Sequence, residues 1–233
     1  MCLKMQNKSK KSAMRGGFGA CLKRLADIVV ALPLALLFAP LSVILTALIF
    51  LRDPGNPFYC QHRVGRNGKE FTVLKFRTMK KRADDVEHVL TAEQLEIYRR
   101  EYKLPDDPRL IGYRRAGDGR CCFGAILRRT SMDELPQLWW NVLLLGNMSL
   151  VGPRPILKEE LAQHYTAEEQ QALLSVKPGL TGYWQAYARN AACYENGERQ
   201  RMELFYVENR SFLLDLKILF RTVVAVITKT GAK

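Results

Sequence analysis

Apolar residues run without a charge from Ile28 to Leu51, 24 positions in all. At 1.5 Å per residue, a helix of that length covers a hydrocarbon layer of about 30 Å. A single spanning helix is the simplest expectation, and two features oppose it. Pro33 and Pro40 lie inside the run, and each removes a backbone hydrogen bond and kinks or breaks a helix interior. The flanks are also both basic. Residues 1–26 carry Lys4, Lys8, Lys10, Lys11, Arg15, Lys23 and Arg24 without an acid, and residues 52–82 carry nine Lys/Arg against Asp53 and Glu70. By the positive-inside rule both ends belong on the cytoplasmic side. A segment that enters and leaves by one face must turn within the membrane, and Ala39-Pro40 is the place for the bend. The pattern predicts a basic segment over 1–24, a re-entrant membrane helix over 25–51 and a cytoplasmic, membrane-associated domain over 52–233. A cleaved signal peptide does not fit, because the run is too long and no small-residue cleavage site follows it.

Beyond the run the period shortens. Asp53-Pro54-Gly55-Asn56-Pro57 reads as a turn, and Phe58 to Met79 as a hairpin. Its first strand ends near Arg63-Val64, Gly65 to Gly68 form the loop, and Glu70 to Phe76 alternate apolar with polar. Residues 83–103 are charge-rich and helical in pattern, with a break at Leu104-Pro105-Asp106-Asp107-Pro108. Leu135 to Leu145 is apolar on nearly every side. Its Trp139 and Trp140 suit either a buried core helix or the headgroup level of a bilayer. Phe212 to Ile227 is apolar but interrupted by Asp215, Lys217 and Arg221, which predicts an interfacial or packing helix and not a second span. Together these elements predict an α+β fold: a re-entrant helix, a small β hairpin and interfacial amphipathic helices around a site at membrane level.

The 233 residues, 48% of them hydrophobic, suffice for one ordinary domain plus an anchor. A net charge of +13 suits nucleic acid, an anionic membrane or a phosphorylated substrate. The apolar run between basic flanks selects the membrane. Arg114, Arg115 and Arg120 have no interleaved aromatic platform, so they do not point to nucleic acid. Cys2, Cys21, Cys60, Cys121, Cys122 and Cys193 form no CxxC pair. Zinc is therefore not expected, and reduced thiols of a cytosolic domain are. His62, His88 and His164 are isolated from any nucleophile motif.

Candidate chemistry concentrates in Arg128-Arg129-Thr130-Ser131-Met132-Asp133-Glu134-Leu135-Pro136-Gln137. Adjacent carboxylates can serve as nucleophile, base or Mg²⁺ ligands, and guanidinium groups grip phosphate bidentately. Ser131-x-x-Glu134 is equally a helix capping box. The decapeptide alone does not choose between the two.

Phe76-Arg77-Thr78-Met79, this decapeptide, Asn141-Val142, Gly146 to Pro155 and Lys177-Pro178-Gly179-Leu180-Thr181-Gly182 occur in the order that resembles bacterial sugar transferases. These are the monotopic polyprenyl-phosphate phosphoglycosyl transferases that start capsule, exopolysaccharide and O-antigen assembly. The resemblance implies a ping-pong reaction on the cytoplasmic face of the inner membrane. A sugar-1-phosphate passes from a UDP-sugar donor to undecaprenyl phosphate through an aspartyl intermediate, with release of UMP. It implies Asp133 as nucleophile, Glu134 as metal support or base, and Mg²⁺ held by Asp133 and Glu134. It also implies phosphate or substrate contacts from Arg128, Arg154, Lys75 and Arg77, and sugar contacts from Arg189 and Asn190. The Arg189-Asn190 segment points to glucose or galactose. Arg154, between Pro153 and Pro155, sits on a stiff backbone that lowers the entropic cost of holding a phosphate.

The chain departs from the family pattern in five places. Ala39 stands where the family has the serine of a Ser-Pro pair, and Pro33 is additional. Extra residues occur over 112–122 as a loop or hairpin. One tryptophan is in excess before Asn141, and Tyr187-Ala188 precedes Arg189-Asn190 in place of Ser-Gly. Membrane lipid is an expected partner, nucleic acid is not, and a homodimer is left open. Two other classes account for parts of the sequence: a membrane-tethered nucleic-acid-binding protein and a catalytically silent scaffold of a glycan-assembly complex. The first leaves Asp133-Glu134 and Gly152 to Pro155 without a purpose, and intact catalytic residues oppose the second.

Overall fold

The uncharged run is the middle of a longer helix. The computed structural model of the chain describes residues 16–101, 104–188 and 197–227. Helix α1 spans Gly16–Arg52 and contains both prolines. It thus takes in residues 16–24, ahead of the boundary expected at 25, because the cations there have partners on the domain. Lys23 Nζ pairs with Asp215 at 2.6 Å, and Arg24 donates to the carbonyls of Val142 and Leu143. The helix is α-helical through Ala39-Pro40, and the hydroxyl of Ser42 donates to Phe38 O at 2.9 Å just beyond.

One face of α1 lies on the domain. Asp27, Ala31, Ala35, Leu45 and Ile49 are buried at helical spacing, while Leu36, Leu37, Val43, Ile44 and Leu51 on the other side are exposed. Asp27 is a buried carboxylate, and its bonds explain how it is tolerated: it accepts from Ser149 Oγ at 2.8 Å and from Leu150 N at 3.1 Å. At the far end Arg52 covers the Phe123 ring at 4.7 Å, and Asp53 pairs with Arg77. Both ends of α1 are therefore fastened to one domain.

The hairpin forms where the alternation predicts it. Strands β1 (Phe58–Val64) and β2 (Glu70–Phe76) pair antiparallel from Phe58↔Phe76 to Val64↔Glu70. Asn67 and Gly68 adopt the positive φ values, 60° and 73°, that reverse the chain. Two helices follow, α2 (Val86–Val89) and α3 (Ala92–Glu101). The extra residues over 112–122 form a loop and not a hairpin. Asp106 gathers it, accepting from Gly117 N at 2.8 Å, Gly119 N at 2.7 Å and the Tyr113 hydroxyl at 3.0 Å.

Helix α4 (Phe123–Arg129) then leads into a 3₁₀ turn over Met132–Glu134 and a π-helix over Leu138–Leu144. The π winding gives a physical answer to the extra tryptophan. One added residue in an α-helix would rotate everything after it by about 100°, whereas i→i+5 bonding absorbs it. Leu145 N accordingly donates to Trp140 O at 3.0 Å. The two tryptophans divide between their alternatives: Trp139 packs on the core, and Trp140 is exposed beside Leu144 and Leu145.

The remaining elements are β3 (Ser149–Val151), α5 (Lys158–His164), α6 (Ala167–Leu173), β4 (Gly179–Thr181), α7 (Tyr183–Ala188), α8 (Glu198–Asn209) and α9 (Phe212–Ile227). β3 and β4 pair in parallel, Ser149 with Gly179 and Val151 with Thr181. The chain crosses itself beside this pair so closely that a Cβ on Gly179 or Gly182 would strike the Gly152 backbone. The main core joins Ala31 and Ala35 of α1 to Val73, Leu138, Val142, Leu150 and Ile218. α9 turns Ile218 inward and leaves Phe212, Leu213, Leu216 and Phe220 exposed, so it packs and presents an apolar face at once.

Asn141, with no exposed surface, joins hairpin to π-helix. Its Oδ1 accepts from Leu74 N at 3.1 Å, and its Nδ2 donates to Thr72 O at 2.7 Å, so one side-chain amide stands in for a rung of sheet. Asn141→Ala leaves a buried N–H and C=O of β2 without partners, and unfolding in detergent should show a loss of roughly 2–5 kcal/mol. Asn141→Asp keeps only the bond from Leu74 and should lie between. An unfolding midpoint unchanged in both variants contradicts this role.

Candidate active site

Strand alternation places the first cation. Val73 and Lys75 share a face of β2, so the buried Val73 anchors the strand where the core ends, and the Lys75 ammonium emerges there. It meets Glu134, with Nζ to Oε1 at 2.8 Å. Glu134 arrives through the 3₁₀ turn, which begins after Ser131 adopts a left-handed φ of 57°. Ser131 makes no capping hydrogen bond, so the capping-box alternative does not hold. Asp133, in the same turn, is buried. Gly124 of α4 presses on the Thr78 carbonyl, and one turn later Arg128 Nε donates to Thr78 Oγ1 at 2.9 Å.

Lys75, Glu134, Gln137, Arg154, Gln185 and Arg63 line one cleft. Five separate stretches of chain converge there. Gln137 Nε2 and Gln185 Oε1 are buried without hydrogen-bond partners; an unmet buried polar atom costs about 1–3 kcal/mol.

Behind the cleft Arg154 rests on buried charge. Its backbone N–H donates to Glu203 at 3.2 Å, and its guanidinium lies 5.8 Å from the Trp184 ring, which Arg199 also covers at 4.3 Å. Glu160 pairs with Arg63 at 3.5 Å and with Arg199 at 3.7 Å. Burial pushes the Glu160 carboxyl up, but the guanidinium groups of Arg154, Arg199 and Arg63 outweigh it and hold the pKa below its ordinary value. Glu203 goes the other way. Its burial dominates over Arg199 and Arg154 and pushes its pKa up to about 7. The two carboxyls thus tune the cationic surround of Arg154 without exposing a negative charge to the cleft.

The sequence-predicted residues fall into three groups. Lys75, Glu134 and Arg154 share the cleft, with Asp133 adjacent in the turn. Arg128 sits at Thr78, and Arg77 is engaged with Asp53 at the end of α1. Arg189 and Asn190 lie outside the described residues. Sequence reasoning gave no role to Arg63, Gln137, Glu160, Gln185, Arg199 or Glu203. Glu160 stands only six residues after Arg154, but nothing in the local pattern shows that it and the distant Glu203 meet behind the same turn. Among the described residues no three His, Cys, Asp or Glu side chains cluster as a metal cage.

The family model described as bacterial sugar transferase matches residues 18–229. The chain is 39% identical over 235 aligned positions to the UDP-galactose-lipid carrier transferase of Erwinia amylovora, covering 100% of this chain and 45% of that protein. It is 38% identical over 217 positions to the exopolysaccharide production protein ExoY of Rhizobium meliloti, covering 92% and 89%. The undecaprenyl-phosphate galactose phosphotransferase of Salmonella typhimurium is 37% identical over 235 positions, covering 100% and 45%. The chain thus spans about half the length of the first and third of these relatives and most of the second.

Glu203 makes stability depend on pH. Its carboxyl holds a proton up to about 7 in the folded chain and loses it near the ordinary value of 4.5 when unfolded. Between these values unfolding releases a proton, so this group's contribution falls as pH rises from about 5 to 7 and is gone above that. Glu203→Gln, neutral throughout, should flatten that slope in unfolding midpoints measured from pH 5 to 8. Parallel curves for the two proteins reject the assignment.

Proposed function

The chain belongs to the bacterial sugar transferase family, and from that premise we propose that it moves a hexose-1-phosphate from a UDP-sugar to undecaprenyl phosphate, releasing UMP, as the first step of capsule, exopolysaccharide or O-antigen assembly. The observation that carries this proposal is the convergence of Lys75, Glu134 and Arg154 on one cleft beside the buried Asp133. Two galactose-named relatives support a hexose, glucose or galactose.

In this mechanism an Asp133 oxygen attacks the β-phosphorus of the donor. A bond forms from carboxylate to phosphorus as the bond to UMP breaks, and UMP leaves with the bridging oxygen and its charge. An oxygen of the polyprenyl phosphate then attacks the same phosphorus, and Asp133 is regenerated. Both steps spread negative charge over phosphoryl oxygens, so fixed cations do more than proton transfer can. Lys75 and Arg154 supply that charge in the cleft, Arg128 supports it, and Glu134 orients Lys75. Two adjacent carboxylates, with no third acid clustered with them among the described residues, fit Mg²⁺, which takes one or two protein carboxylates and fills its shell with water and substrate phosphate. Asp133 and Glu134 would hold it, and when bound it supplies further neutralisation of the phosphates.

The acceptor's chain confines it to lipid and the donor is soluble, so the reacting carboxylate belongs at the boundary. Two apolar surfaces support that placement at the cytoplasmic face of the inner membrane: the outer side of α1 and the outer side of α9. Fastening of both ends of α1 to one domain supports re-entry over crossing, since a spanning helix leaves one end on the far side.

UMP release by detergent-solubilised or nanodisc-held protein, with undecaprenyl phosphate, Mg²⁺ and a panel of UDP-sugars, tests this. Activity with one hexose should fall by about 10³-fold or more in Asp133→Asn and by about 10²–10³-fold in Arg154→Ala. Absence of acceptor-dependent UMP with every sugar sinks the proposal.

A further inference from the structure

Gln137 and Gln185 reach the cleft from segments 48 residues apart in sequence, one at the head of the π-helix and the other in α7. Gln137 is 2% exposed. Its Nε2 and the Oε1 of Gln185 are both buried without partners, so they do not bond each other. Gln185 uses its nitrogen on Leu180 O at 3.4 Å, which leaves its oxygen as the acceptor. Both side chains line the cleft that also holds Lys75 and Arg154, so its wall carries one unmet donor and one unmet acceptor.

A phosphate satisfies only half of this pattern. Its oxygens can accept from Gln137, but they repel the carbonyl oxygen of Gln185. A hydroxyl satisfies both, accepting from one amide while donating to the other. The cations hold phosphate, and in a nucleoside diphosphate sugar the hydroxyl-bearing ring attached to the β-phosphate is the transferred hexose. We propose that Gln137 and Gln185 together read one hydroxyl of the transferred hexose and so set the sugar specificity of the cleft; this rests on the function proposed above. The uracil edge also offers a donor beside acceptors, so the experiment must separate base from sugar. A site built to bond a hydroxyl rejects a ligand lacking it because its own buried groups are then left unpaired.

The test is calorimetric binding of UDP and of UDP-hexose to the full chain in nanodiscs, every protein carrying Asp133→Asn so that no phospho-hexose passes to the carboxylate, with both glutamines as in wild type, with Gln137→Leu or with Gln185→Leu. Each variant should weaken UDP-hexose about ten-fold, or about 1.4 kcal/mol, and leave UDP unchanged. A deoxy analogue lacking the bonded hydroxyl should bind the protein with both glutamines equally weakly and lose nothing further in the variants, the signature of a shared contact. Equal loss for UDP and UDP-hexose assigns the amides to the uridine diphosphate and overturns the proposal, as does no loss for either. If Gln137→Leu does not fold, Gln185→Leu, judged by its unfolding midpoint, carries the same comparison. A protein with both glutamines that binds UDP-hexose no better than UDP also overturns it, while one that binds neither removes the transferase reading itself.

Discussion

The site depends on one buried amide. β2 carries Lys75 and the 3₁₀ turn carries Asp133 and Glu134, and no backbone ladder joins them. Asn141 supplies the join, donating to Thr72 and accepting from Leu74 as a neighbouring strand would. Backbone groups on a buried strand edge must be met. Because this edge is met by a side chain on the π-helix, the register between hairpin and helix is set at a single residue. That register brings the Lys75 ammonium to Glu134. The π winding belongs to the same constraint, since it holds Asn141 inward while Trp140 turns out.

Electrostatics set the second layer. Arg154 projects from a turn stiffened by two prolines, and the crossing of Gly152 with Gly179 and Gly182 fixes where that turn lies. A single buried ion pair is often worth little after desolvation. Here the charges form a set: Arg63, Arg154 and Arg199 act on Glu160, Arg154 and Arg199 act on Glu203, and the same two guanidiniums meet the Trp184 ring. The set holds cationic side chains in place ahead of any ligand, which is the preorganisation that phosphoryl transfer rewards. Glu203 keeps a proton near neutrality, so the positive balance behind the cleft is not cancelled.

The long helix and the domain are one body. Asp27 places a carboxylate inside an otherwise apolar stretch, and it is met by Ser149 and Leu150 at the start of β3. The strand leading to Gly152 and Arg154 is thus registered against the helix that carries the apolar face. Lys23 with Asp215 and Arg77 with Asp53 fasten the same helix at its two ends. In the last of these Arg77 serves architecture.

Local pattern determined a good deal. Alternation over Glu70 to Phe76 marked the second strand, because the pleat has a period of two, and the loop over Gly65 to Gly68, whose residues could adopt positive φ, marked where the first one ended. The uncharged run marked the long helix, and ordered motifs marked the family. Local pattern also left choices that only packing made. Ser131-x-x-Glu134 had the letters of a capping box, but Ser131 took a left-handed conformation and capped nothing. Residues 16–24 had the charges of a solvated segment, but Lys23 and Arg24 found an acid and two carbonyls more than 100 residues away and joined the helix. Lys75 and Arg77 were alike on the strand, and only the partners Glu134 and Asp53 separated them. Gln137 closed the motif without a role of its own, and Gln185 carried no sequence signal at all. Sequence determines what a residue can donate, accept or bury, whereas the identity of its partner is a property of distant chain brought together, and in this protein the partners made the site.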